Sequence, residues 1–225
     1  SDNTTFMTGA AITGSTGGTW VVGTAQNKMD TGTIAANTWY HVYQIERTDT
    51  GVVDILFSLQ PVAGGTGSPT LPTSYDKQRR IGSFKTATAT TNILAFTQRG
   101  DYGRWTAALR DENRTNPGSA AINVAATVPV GVNVRWFGAV TVTQDAAGGG
   151  VFYASDLAAT DEAPTNAGVA PGAQLFTGAG LTSSIPLEIS TNTSQQIRYR
   201  VSASAAGTVV NIYTYGWFDR RGQDN

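Results

Sequence analysis

A single imidazole, His41, limits the chemistry open to this chain, because any serine, cysteine or metal mechanism that needs histidine has only that ring to use. It shares a strand face with Trp39, Tyr43 and Ile45, the setting of a hydrogen-bonded interior histidine rather than of a general base. Cysteine is absent, so disulfides, thiolate metal sites and thiol nucleophiles are excluded together. Carboxylate pairs are the remaining route to hydrolysis, since a glycosidic bond needs two carboxyl groups about 5 to 9 Å apart. Asp49 with Asp54, Asp111 with Glu112, and Asp161 with Glu162 supply such pairs, but all read as lying in or beside turns, where acidic side chains cap the backbone and stay solvated. The stretch Asp156 to Glu162 is the nearest thing to a calcium loop and lacks a regular alternation of oxygen ligands. Glycine clusters at 14–18, 64–65 and 148–150 have no following helix and lysine to give them anion chemistry, and read as turns. No catalytic residue, metal or cofactor is assigned, and the chain is expected not to be an enzyme.

Binding is better served. Tyr213, Tyr215 and Trp217 alternate along the last strand and are expected on one face. Such a row can stack on sugar rings, pack against a neighbouring subunit or enter the protein's own core. These three are the candidate binding residues.

The elements that must position them are strands. Charged residues make up only 14% of the chain, and Gly, Ala and Thr recur, which suits short strands and tight turns rather than amphipathic helices. Two segments read as versions of one another: Trp39 to Ile45, a turn at Asp49-Thr50-Gly51, then Val52 to Ser58; and Val134 to Val142, Gly148 to Gly150, then Val151 to Ser155. Each predicts a hairpin. Ile197 to Ser204 and Val209 to Tyr213, joined by Ala205-Ala206-Gly207, predict a third. The fold expected is all-β, two antiparallel β-sandwich (jelly-roll-like) lobes with little helix. The polar run Arg110 to Ser119 marks the best boundary, giving lobes over 1–115 and 116–225.

Fifteen basic residues stand against sixteen acidic ones, so polyanion binding by charge alone is not expected and nucleic acid is not a predicted partner. No apolar run is long enough to cross a bilayer as a helix, and membrane insertion is not expected. Two loops rich in small and turn-forming residues, Pro61 to Pro72 and Asp156 to Gly172, are candidate display loops on the scaffold.

Several runs together carry a family resemblance. Asp30 to Val42, Asp49 to Asp54, Pro69-Thr70-Leu71-Pro72 through Tyr75 to Arg79-Arg80-Ile81-Gly82-Ser83, and the terminal Gly216-Trp217-Phe218-Asp219-Arg220-Arg221-Gly222 resemble a C-terminal module of tail-fibre-like virion proteins of bacteriophages and prophages. The resemblance spans about Ala10 to Gly222. It implies a place in the virion, other virion proteins as partners, a homotrimer, and contact with a bacterial surface glycan or protein. It brings no defined catalytic residues. The abrupt start at Ser1 is what a longer protein with an upstream anchor would show. The alternatives are a capsid or neck decoration protein without a host ligand, and a glycan-degrading tail spike, for which the chain lacks a repeated β-helix pattern.

Overall fold

The computed structural model describes residues 12–62, 67–165 and 173–221. Among them the chain is all-β: fourteen strands in three sheets, mostly antiparallel, with no helix. It divides into two compact units, Ser1–Leu94 and Ala95–Asn225. The boundary expected at 115/116 falls instead at the end of a strand. The charged residues that suggested a linker belong to β7 (Tyr102–Thr115), whose backbone pairs with β14 (Val209–Phe218) along its length. Polar side chains on a strand that turns one face to solvent look, in sequence, like a linker.

Among its described residues the first unit holds one five-stranded sheet rather than a sandwich, in the order β1 (Gly14–Thr19), β2 (Gln26–Met29), β4 (Val53–Ser58), β3 (Trp39–Glu46), β5 (Lys77–Lys85). β3 and β4 form the first predicted hairpin, with Tyr43 opposite Leu56 and Ile45 opposite Asp54. The contacts of β2 with β1 and with β4 are parallel, a departure from the antiparallel pattern expected. Alternation on β3 sends Tyr43 and Ile45 to one face, where they join Leu56 and Tyr75 in a buried cluster capped by Trp20 and Leu71. Leu71 and the buried Pro69 thus anchor the far end of the loop from Pro61 to Pro72. Residues 63–66 of that loop and 166–172 of the other candidate display loop lie outside the described residues.

The same face carries an ion pair sealed from solvent. Lys28 and Asp54 are 0% and 2% exposed, with Nζ 2.7 Å from Oδ1. The lysine also donates to the Val21 carbonyl at 2.9 Å, and the carboxylate accepts the Gly23 amide at 2.8 Å. His41 is fully buried, its Nδ1 2.9 Å from Ser83 Oγ. Burial also pushes the Tyr43 phenol well above its usual range, while its hydroxyl donates to the Gln60 carbonyl at 2.5 Å.

The second unit contains two sheets. One runs β11 (Ala173–Thr177), β10 (Gly150–Ser155), β13 (Gln196–Val201), β8 (Ile122–Ala125); the other runs β12 (Thr182–Ser190), β9 (Arg135–Thr143), β14, β7, β6 (Phe96–Arg99). Each strand of the pair β13 and β14 alternates: Ile197, Tyr199 and Val201 are buried on one, Val210 and Ile212 on the other, with half-exposed residues between. Two sheets each dry on one face, in one compact unit, make a β-sandwich. Trp105 on β7 ties them, its Nε1 donating to the Thr127 carbonyl past the end of β8 at 2.9 Å.

Two predicted hairpins do not form. β9 and β10 belong to different sheets, as do β13 and β14. The turns after β9 and after β13 carry the chain across the sandwich, and Gln144 fastens them together: its Oε1 accepts the Thr208 hydroxyl at 2.7 Å and its Nε2 donates to the Ala203 carbonyl at 3.2 Å. Alternation in a strand shows that one face is buried but not which strand lies beside it.

Candidate binding face

Among the described residues, five of the six carboxylates that spacing brought forward, all but Glu162, are engaged by structural partners. Asp49 sits in a turn as expected, where the Arg47 guanidinium holds its carboxyl below the usual range, and Asp161 and Glu162 lie in a loop just past a bend. Asp54 is the buried partner of Lys28. Asp111 and Glu112 lie within β7 rather than in a turn. Asp111 accepts the Thr127 hydroxyl at 2.6 Å and that of Thr214, which in turn accepts the Trp136 indole N–H at 2.6 Å. Asp161 pairs with Arg200 at 2.9 Å and Arg198 at 3.6 Å. Asp156 accepts the Ala159 amide at 2.7 Å, so its carboxylate shapes the loop it begins.

The aromatic row of β14 is broken by a bulge. Along this strand Val210, Ile212 and Thr214 point inward and Tyr213 outward, but the register shifts between Thr214 and Gly216 against both neighbouring strands. One extra residue reverses the alternation that follows. Trp217 therefore lies opposite the buried Trp136, is 3% exposed, and packs against Trp105 with the ring centroids 5.1 Å apart and the planes tilted by 57°. It belongs to the core. Tyr213 and Tyr215 remain partly exposed on the other side.

Around them the outward face of the five-stranded sheet shows an order that the sequence conceals. Toward one end, Tyr102 stacks on Phe137 (5.0 Å, 20°), and both rings meet Phe218, at 5.0 and 5.6 Å. Gly216 makes this possible: a Cβ there would lie 2.7 Å from the Phe137 ring and against the Gly103 carbonyl. Beside Phe137 and Tyr215 is a shallow hollow of about 300 Å³, floored by Gly138 and Leu187 and edged by Pro186 and Glu188. The Arg135 guanidinium sits 5.1 Å above the Phe218 ring and 3.5 Å from the Glu188 carboxylate. Toward the other end the face turns to hydroxyls: Thr141 lies 3.4 Å from Ser184, and Thr143 lies 2.9 Å from Thr182.

The cations of this face are also sorted. Register places Arg99 beside Tyr102, Arg104 opposite Gly216, Arg110 opposite Tyr213 and Arg135 opposite Phe218. All four arginines are exposed, and Glu188 is the acidic residue among the outward positions of these strands. The face thus carries three net positive charges on a chain whose formal net charge is −1. Five strands set it at about 19 Å across. Sequence reasoning found Tyr213 and Tyr215 and missed Tyr102, Phe137, Phe218 and the arginines, which come from four strands far apart in the chain. The aromatic-rich tail at Trp217-Phe218 was the available signal; the bulge assigned its two rings to opposite sides.

No protein-family model matches the chain, and no curated protein does. Weak structural likenesses exist to chains of infectious bursal disease virus. One is from the Gx strain: 13% identity, 84% of this chain and 55% of that one, TM-score 0.27. Another is from the crystal structure of the T13 viral particle: 14% identity, 82% and 51%, TM-score 0.26. A third is from the Gt strain: 13% identity, 86% and 54%, TM-score 0.23. The chain spans about half the length of these viral chains. Overlap this loose says nothing about what the present chain does.

Proposed function

We propose that this chain is a non-enzymatic structural protein of a bacteriophage particle, the distal part of a tail fibre or similar appendage, which meets a receptor on the bacterial surface. Two lines support the reading. The sequence runs quoted above resemble the C-terminal module of tail-fibre-like proteins. The observation that carries the receptor contact is the outward face of the second unit, where half-exposed aromatic rings and four exposed arginines share one sheet. Exposed aromatic and arginine side chains are the residues that dominate recognition surfaces. His41, Asp54, Asp111 and Asp161 are each engaged by a structural partner, which fits a scaffold that holds a ligand rather than one that cleaves it.

Labelled antibody against this chain, imaged on intact particles, tests its position: label at the fibre tips is expected, and label spread over the capsid or confined to the neck gives the decoration reading instead. Binding of the purified chain to host cells tests the receptor contact. Shortened glycan chains after incubation with capsule or lipopolysaccharide would overturn the non-enzymatic part.

A further inference from the structure

We infer that the outward face of the second unit is a binding site for an acidic polysaccharide, one whose sugar rings carry carboxylate or phosphate groups. The inference rests on the receptor reading above and names the class of ligand.

Three features of the face converge on that chemistry. First, the rings of Tyr215 and Phe137 border an open hollow of about 300 Å³, room for a sugar ring to lay its C–H face on aromatic carbon. Second, the positive end of the face has the wrong sign for a neutral ligand to explain. Arg110 makes no ion pair among the described residues, and Arg104 has only a 3.5 Å contact with the Tyr102 hydroxyl. Arg135 shares Glu188 at 3.5 Å, with both side chains more than half exposed, a pairing that costs little to exchange for an anionic ligand. Arginine presents a planar fork that matches carboxylate or phosphate oxygens in pairs. Third, toward the other end β9 and β12 present hydroxyls from Thr141, Ser184, Thr143 and Thr182. Hydroxyls both donate and accept, as a sugar's own hydroxyls require, whereas a phosphodiester backbone offers only acceptors. That last feature separates a glycan from a single-stranded nucleic acid, which would also find arginines and aromatic rings here.

Isothermal titration of the full chain with oligogalacturonate, with maltodextrin of matched length and with oligothymidylate tests the inference. Oligogalacturonate is expected to bind, with affinity falling as salt rises, and maltodextrin to bind at least about tenfold more weakly. Arg110→Gln and Tyr215→Ala are expected each to weaken oligogalacturonate binding by about tenfold. Both residues are solvent-facing, and unchanged thermal unfolding confirms that the variants are folded. Equal binding of the two sugars, tighter binding of oligothymidylate, or binding that ignores both substitutions would overturn the inference. So would self-association, measured by sedimentation, that Tyr215→Ala abolishes, since the face would then be covered by a second copy of this chain. Host-cell binding that persists in Arg110→Gln and Tyr215→Ala, with no oligogalacturonate binding by the parent chain, would overturn the ligand class and leave the tail-fibre reading standing.

Discussion

Replacing Asp54 with Asn puts the largest calculable strain on the first unit. The carboxylate takes Lys28 Nζ at 2.7 Å and the Gly23 amide at 2.8 Å, and the lysine is 0% exposed. Asn is nearly isosteric and can still accept the Gly23 amide, so the packing change is small and the main loss is the charge that neutralises Lys28. Breaking a buried pair from one side costs about 3 to 5 kcal/mol, because the remaining ion is stranded away from water. Domains of this size have about 5 to 15 kcal/mol in total, so the first unit would lose a large part of its margin. The double variant Lys28→Met, Asp54→Leu removes both charges together. The pair had also engaged the backbone of Val21 and Gly23, which are exposed and can turn to water, and the amide of the half-exposed Ile55 at 2.7 Å, so the double variant is expected within about 2 kcal/mol of the parent. Urea unfolding followed by tryptophan fluorescence reads the first unit through Trp20, whose ring lies 5.1 Å beneath the ammonium, and through the buried Trp39. The coupling between the two sites should then exceed about 2 kcal/mol. If Asp54→Asn costs less than about 1 kcal/mol, or the two single losses simply add, the pair is not sealed as described and the reasoning fails.

Trp217→Ala should cost about 3 to 5 kcal/mol in thermal or urea unfolding, while Tyr215→Ala two residues away costs under about 1 kcal/mol, because only the first leaves a cavity in the core. Gly138→Ala should cost more than about 3 kcal/mol in the same assay, since a Cβ there meets the Tyr213 carbonyl and the Trp136 ring. Burial raises the phenols of Tyr43 and Tyr199 in the folded state, so the unfolded chain ionises first as pH passes about 10. Stability is unaffected by these groups below that pH and falls above it; Tyr43→Phe should flatten the alkaline decline in a pH series of urea midpoints. Asp161→Asn should change global stability by under about 1 kcal/mol, because Arg198 and Arg200 keep other contacts or reach water, yet it should speed limited proteolysis between Asp156 and Thr165 by freeing the loop from β13.

Alternating side chains and turn-forming glycines were enough to establish an all-β chain, because period-two hydrophobicity is a local property of each strand. The β3 to β4 hairpin, with its six-residue connection, was legible for the same reason. The interior place of His41 followed from the apolar residues sharing its face. Strand neighbours were not legible. β9 followed by β10, and β13 followed by β14, have the alternation and turns of hairpins, yet each pair is divided between two sheets, since a half-buried strand can satisfy its edge with any partner of matching face. A linker and a solvated strand share one composition, which is why β7 passed for a boundary. Above all, a net charge near zero concealed the four arginines gathered on one face, and simple alternation placed Trp217 with Tyr213 and Tyr215. Sequence fixes which residues alternate; only the tertiary structure decides where a one-residue bulge reverses them, and which distant strands lay their outward side chains together, because both depend on hydrogen bonds between segments that composition cannot pair.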